Sequence, residues 1–184
     1  MQTMEMLHNN NPKIFYIEDQ CFRWTFQAKK VRKIVEKHCK EGQVLNLFAG
    51  KTLLNVDDLR VDLSNEYNPD MNISAEDAIN LLNKHNRKFN TIIYDPPWNE
   101  RKAKEFYNGN YIGKFTKLKD GVVSLLEDKG IIISAGYEIT NFGRIRNMKL
   151  TKIFVINPYG EIRPYFITIE KKINQTLPKF MTSK

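Results

Sequence analysis

The sequence predicts an α/β protein with a mostly parallel sheet that ends in an antiparallel hairpin. Three observations predict it. Short β-branched and aromatic runs alternate with stretches of helical periodicity along 184 residues. Two of those runs end in motif-like turns, as ligand-binding strands of open α/β sheets do. The last two runs, Ile153-Phe154-Val155-Ile156 and Tyr165-Phe166-Ile167-Thr168-Ile169, flank only the turn-rich join Asn157-Pro158-Tyr159-Gly160, which reads as a hairpin.

The elements follow in order. Residues 1–12, with three consecutive asparagines, read as a mobile leader, residues 13–175 as one domain, and 176–184 as a basic tail. Val31, Ile34, Val35 and His38 recur at helical spacing, so His38 is a packed or partly exposed helix residue rather than a base. Gln43-Val44-Leu45-Asn46-Leu47-Phe48 is an apolar strand running into the small-residue turn Ala49-Gly50-Lys51-Thr52. A ligand's polar tail can approach backbone amides at such a turn. Val61-Asp62-Leu63 ends a third short strand in a carboxylate, suited to accepting both hydroxyls of a ribose or simply to closing a turn. Ser74 with Asp77 reads as a variant capping box opening a helix whose apolar face is Ala75, Ala78, Ile79 and Leu82. Thr91-Ile92-Ile93-Tyr94 and Ile131-Ile132-Ile133-Ser134 are buried strands, and Phe115, Leu118, Val122 and Leu126 form one face of the helix between them.

The most specific signal is Asp95-Pro96-Pro97-Trp98, at the carboxyl end of the Thr91–Tyr94 strand. Two prolines stiffen the turn and withhold their N–H groups, so the Pro96 carbonyl is free to point into a cleft. Asp95 and that carbonyl are then two acceptors for the two hydrogens of a planar amino group, and Trp98 offers a face for a base. The alternative is a rigid loop with a tryptophan anchored in the core. A phosphate-binding loop at Gly50-Lys51-Thr52 fails on spacing, because Leu45, inside a strand, stands where that loop needs glycine.

In the order strand, F-A-G turn, strand ending in an acid, and strand ending in D-P-P-W, the chain resembles the class I S-adenosylmethionine-dependent methyltransferases that act on the N6 amino group of adenine in nucleic acid. The resemblance covers residues 22–170, and the motif order is that of small bacterial and phage DNA adenine methylases. It implies a Rossmann-like class I methyltransferase fold with S-adenosylmethionine as cofactor. It further implies that Phe48, Ala49 and Gly50 line the methionine end of the cofactor and that Asp62 binds its ribose. Phe26 is implied as an N-terminal aromatic at the cofactor, with Asn46, Ser74 and Asp95 also beside it. Asp95, Pro96, Pro97 and Trp98 would be the catalytic turn. The chain departs from the family at Lys51, where another glycine is usual, at Asn46, where an acid is frequent, and at Ser74, near the cofactor's adenine.

Composition agrees. The formal net charge of +8 points to a polyanionic partner. From Arg144 to Lys184 there are nine Lys and Arg against two Glu. Basic and aromatic residues also interleave after the catalytic turn, so Arg101, Lys102, Lys104 and Tyr107, with Trp98, are the expected nucleic-acid contacts. The length leaves no room for a large separate target-recognition domain, so a protein partner or a second copy is an option for target reading. Cys21 and Cys39 form no metal-type cluster, no metal is implied, and no run is long enough to span a membrane; a reduced, cytoplasmic setting is expected. DNA is favoured over RNA by the motif order. N4 of cytosine, a glutamine amide and a non-catalytic nucleic-acid-binding subunit of the same fold stay open.

Overall fold

A strand covered on both faces needs apolar residues at nearly every position, and the middle of this chain supplies them. The computed structural model describes residues 11–39, 42–98, 115–160 and 163–173. The strands are β1 (Lys13–Asp19), β2 (Val44–Leu47), β3 (Asp58–Val61), β4 (Phe89–Tyr94), β5 (Leu126–Gly136), β6 (Met148–Pro158) and β7 (Tyr165–Lys172). The helices are α1 (Lys29–His38), α2 (Ala75–Lys84) and α3 (Phe115–Ser124). Among the described residues the strands form one seven-stranded sheet in the order β1-β6-β7-β5-β4-β2-β3. Only β7 runs antiparallel to its neighbours β5 and β6; every other neighbouring pair is parallel. The expected mostly parallel sheet with its C-terminal hairpin is therefore the observed one.

Alternation along the central strands sends side chains into two apolar layers. Leu45, Leu47, Ile92, Tyr94 and Ile132 pack with Ala78, Ile79 and Leu82 of α2 and Leu118 and Val122 of α3. Val44, Ile93, Ile131, Ile133, Ile167 and Ile169 pack with Phe26 and with Val31 and Val35 of α1 on the other face. Ser74 caps α2 as expected: its Oγ accepts the Asp77 N–H at 3.0 Å and donates to the Asp77 carboxylate at 2.6 Å. The start of α1 lacks a local side-chain cap. Asp19, the last residue of β1, serves instead, with one oxygen accepting the Lys30 N–H at 2.8 Å and the Val31 N–H at 3.3 Å.

Three sequence expectations change. β1 is an unforeseen strand whose side chains carry no burial signature, Ile14 being 54% and Tyr16 81% exposed. β5 starts at Leu126, so that residue leaves the α3 face assigned to it, though it stays buried. β6 runs on through Pro158, into the expected join. Residues 1–10 of the expected leader and all of 176–184 lie outside the described residues. Among the described residues no helix is long and apolar enough to cross a membrane.

Candidate active site

Strand register assembles the site. β2 lies between β3 and β4, and Leu47, its last residue, pairs with Tyr94, the last residue of β4. Phe48 and Asp95 therefore leave the sheet side by side. The chain moves from β2 to β3 on one side and then to β4 on the other, so this pair of ends is a topological switch point, where open α/β sheets bind ligands.

Phe48 and Gly50 both have positive φ, at 63° and 56°. The backbone must bend sharply there, and at Gly50 a Cβ would also lie 3.0 Å from the Trp24 ring, so both the backbone and the packing favour glycine. β3 holds this turn from behind. Asp62 accepts the Gly50 N–H at 2.8 Å and the Ser64 N–H at 2.8 Å, and the Ala49 N–H is bonded to the Val61 carbonyl at 3.0 Å. Arg60 donates to the Gly50 carbonyl at 2.7 Å and to the Tyr67 and Asn68 carbonyls at 2.9 Å each. Both polar groups of Gly50 are thus tied to the neighbouring strand. Arg60 is 7% exposed.

The structure shows what already engages each of the sequence-predicted cofactor residues. The Ala49 and Gly50 amides are bonded to the Val61 carbonyl and the Asp62 carboxylate. Asp62 is 2% exposed, and both its oxygens already accept backbone N–H groups. Asn46 is fully buried, and its Nδ2 donates to Asp58 at 2.7 Å. Burial raises the pKa of Asp58, opposed by Asn46 and by the charge of Arg60. Phe26 packs in the core at 3% exposure, and the aromatic standing over Gly50 is Trp24, in edge contact with Tyr67 at 5.0 Å. The Ser74 hydroxyl is engaged in its cap.

Asp95, Pro96, Pro97 and Trp98 are all partly buried at the end of β4. Trp98 turns back on the carboxylate, its Nε1 donating to Asp95 Oδ1 at 3.0 Å. Its ring is wedged between Tyr165 at 4.9 Å and the edge-on ring of Tyr137 at 5.0 Å. Trp98 is thus both an anchor and a brace for Asp95. Burial raises the pKa of the Tyr165 hydroxyl, and the negative charges of Cys21, when ionised, and of Asp95 and Asp19 raise it further. Arg163 lies over the other aromatic, its Cζ 3.8 Å from the Tyr137 ring centre. Arg101, Lys102, Lys104 and Tyr107 lie outside the described residues.

Trp24, Arg60, Tyr137, Arg163 and Tyr165 are site residues that sequence reasoning missed. For Arg60 a signal exists, a cation between the apolar Leu59 and Val61 in a short strand. Tyr137 and Tyr165 are brought to Trp98 only by the β5–β7 pairing, in which Gly136 faces Phe166.

No protein-family model and no curated protein matches the sequence. Solved structures do resemble the fold. A candidate SAM-dependent methyltransferase from Streptococcus mutans superposes with a TM-score of 0.58 at 15% identity, covering 78% of this chain and 48% of its own. SMU.776, a candidate methyltransferase in complex with SAH, gives 0.55 at 16% identity, covering 77% and 48%. TrmN from Thermus thermophilus gives 0.51 at 12% identity, covering 78% and 48%. The fold is that of the SAM-dependent methyltransferases, and the chain spans about half the length of these three structures.

Proposed function

We propose that this protein is an S-adenosylmethionine-dependent methyltransferase acting on the N6 amino group of adenine in nucleic acid, with DNA the favoured polymer. The observation that carries the reading is the Leu47–Tyr94 register, which sets the Phe48–Gly50 turn beside Asp95-Pro96-Pro97-Trp98 in a methyltransferase fold. The fit to the cofactor rests on the braced turn at Gly50, against which Trp24 stands, itself in edge contact with Tyr67. Phe48, Ala49 and Gly50 would border the cofactor, with Asp62 shaping that wall from behind. When bound, S-adenosylmethionine supplies an electrophilic methyl carbon.

The chain's own part is positioning. Asp95 and the Pro96 carbonyl accept the two amine hydrogens and turn the nitrogen lone pair out of conjugation with the ring. Trp98 fixes the Asp95 carboxylate through Nε1. If the target lies in a duplex, the base must leave the stack to reach this turn. Asp95 need not be a strong base, since the nitrogen loses its proton readily once it carries the new bond and a positive charge. The lean to DNA is supported by the motif order.

One observation favours a second reading, a non-catalytic nucleic-acid-binding subunit. Trp24 stands against Gly50 and the turn's amides are already bonded, so a ligand must find other donors. Incubation with labelled S-adenosylmethionine and separate pools of DNA, structured RNA and protein, followed by nucleoside analysis, decides between them. Label in N6-methyladenine is expected. Cofactor binding without transfer to any pool, or no binding at all, would favour the second reading.

A further inference from the structure

Tyr137 follows the end of β5, and Arg163 lies just before the start of β7. The two strands pair, so both residues emerge at the end of the sheet that carries Asp95. Contacts run in a chain from there: Trp98 Nε1 to Asp95, the Trp98 ring to Tyr137, and Tyr137 to the Arg163 guanidinium. Arg163 is exposed, and among the described residues it makes no ion pair or hydrogen bond. A guanidinium stacked on a ring has its plane fixed while its N–H edges stay open, which is the fork geometry that matches a phosphate. A cation held this way, without a carboxylate partner among the described residues, in a chain of net charge +8, is oriented toward an anion from outside.

We infer that Arg163, oriented by Tyr137, contacts a backbone phosphate of the nucleic-acid strand whose base enters the Asp95 site. The inference rests on the reading of that site as a nucleic-acid methyltransferase centre. It adds a substrate-holding residue from the β7 side of the site to those the sequence nominates.

Fluorescence anisotropy with labelled mixed-sequence single-stranded DNA and its RNA counterpart, titrated over a range of salt concentrations, tests it. Loss of one phosphate contact lowers the log–log salt slope by about 0.7 for a single strand. Arg163→Gln is expected to show that loss and to raise KM for the oligonucleotide more than it lowers kcat, with S-adenosylmethionine affinity and thermal midpoint unchanged. Arg163→Lys should keep the slope but bind more weakly, because the charge remains while stack and fork are lost. Tyr137→Leu should fall between the two. The polymer with the larger Arg163→Gln effect is the one this contact serves. If wild-type binding is salt-dependent and Arg163→Gln retains both slope and KM, the phosphate contact is overturned while the site reading stands. If wild-type protein binds neither polymer, both fall.

Discussion

The Asp95 carboxylate and the Trp98 indole act as one unit. On the proposed reading Asp95→Ala removes an acceptor for the target amine but no core group, so methyl transfer should vanish while cofactor binding and the circular dichroism spectrum persist. Near-normal turnover by the folded variant would sink the mechanism. Trp98→Phe is more discriminating, because it keeps a ring against Tyr137 and Tyr165 and deletes only the Nε1 donor. A hydrogen bond to a charged group contributes about 1.5–3 kcal/mol to stability, so the variant should lose up to that amount, and with Asp95 no longer fixed its turnover should drop on the order of tenfold or more. Asp62 poses a different problem, since its carboxylate accepts two backbone N–H groups at 2% exposure. Asp62→Ala should cost about 1–3 kcal/mol for each N–H left without an acceptor, read by urea denaturation. It should also weaken S-adenosylmethionine binding by loosening the Gly50 turn. Unchanged stability would show that water replaces the carboxylate and that Asp62 does not hold the turn.

At the level of elements, α1 is fastened to β6 by a titratable contact. His38 Nδ1 lies 2.7 Å from the Ile34 carbonyl and Nε2 lies 2.8 Å from Lys152 Nζ. The neutral ring with its proton on Nδ1 satisfies both, donating to the carbonyl and accepting from the ammonium. Burial, then the charges of Lys152 and Lys37, lower the pKa of His38 from 6.5, with the Ile34 carbonyl opposing. The unfolded chain therefore binds this proton more readily than the folded one. The contribution of His38 is fully present above pH 6.5 and is lost as pH falls through the lowered value. Urea melts of wild type and His38→Gln over that range should show a shallower acid-side decline in the variant, and identical declines would remove His38 as the cause. The central strands and the cap of α2 are legible in sequence because Thr91–Tyr94, Ile131–Ser134 and the Ser74–Asp77 pair carry their own local signals. β1 is not, because an edge strand with exposed side chains leaves no buried face to read. The α3–β5 boundary is misread because Leu126 is apolar and buried in either element.

Across the whole molecule, the parallel sheet, its hairpin and the adjacency of the two motifs follow from the order of strands, and the sequence order is visible without coordinates. The contacts that tune the site are not, since they join residues from elements distant in the chain. Arg60 finds carbonyls at Gly50, Tyr67 and Asn68, and Trp98 meets Tyr137 and Tyr165 only once β5, β4 and β7 have assembled. No local pattern marks which backbone groups a buried cation will reach. The charge excess is legible as a total, but its orientation by Tyr137 depends on the fold.

The position of β1 has a kinetic consequence. Its register runs from Lys13 opposite Lys152 to Asp19 opposite Pro158, so a strand made early finds its partner only after nearly all the described chain exists. Pairing over such a separation forms late and slows folding relative to local contacts. Until then the open edge of β1 and the side chains of Ile14, Phe15 and Tyr16 are available to any other extended segment, a state in which nascent chains aggregate. Pulse-labelled hydrogen exchange during refolding should find the amides of β1 gaining protection after those of β2 and β4, and simultaneous protection would rule that order out. On a ribosome, β1 and β6 reach the rest of the sheet only through β7, so completion of β7 is the event that closes it.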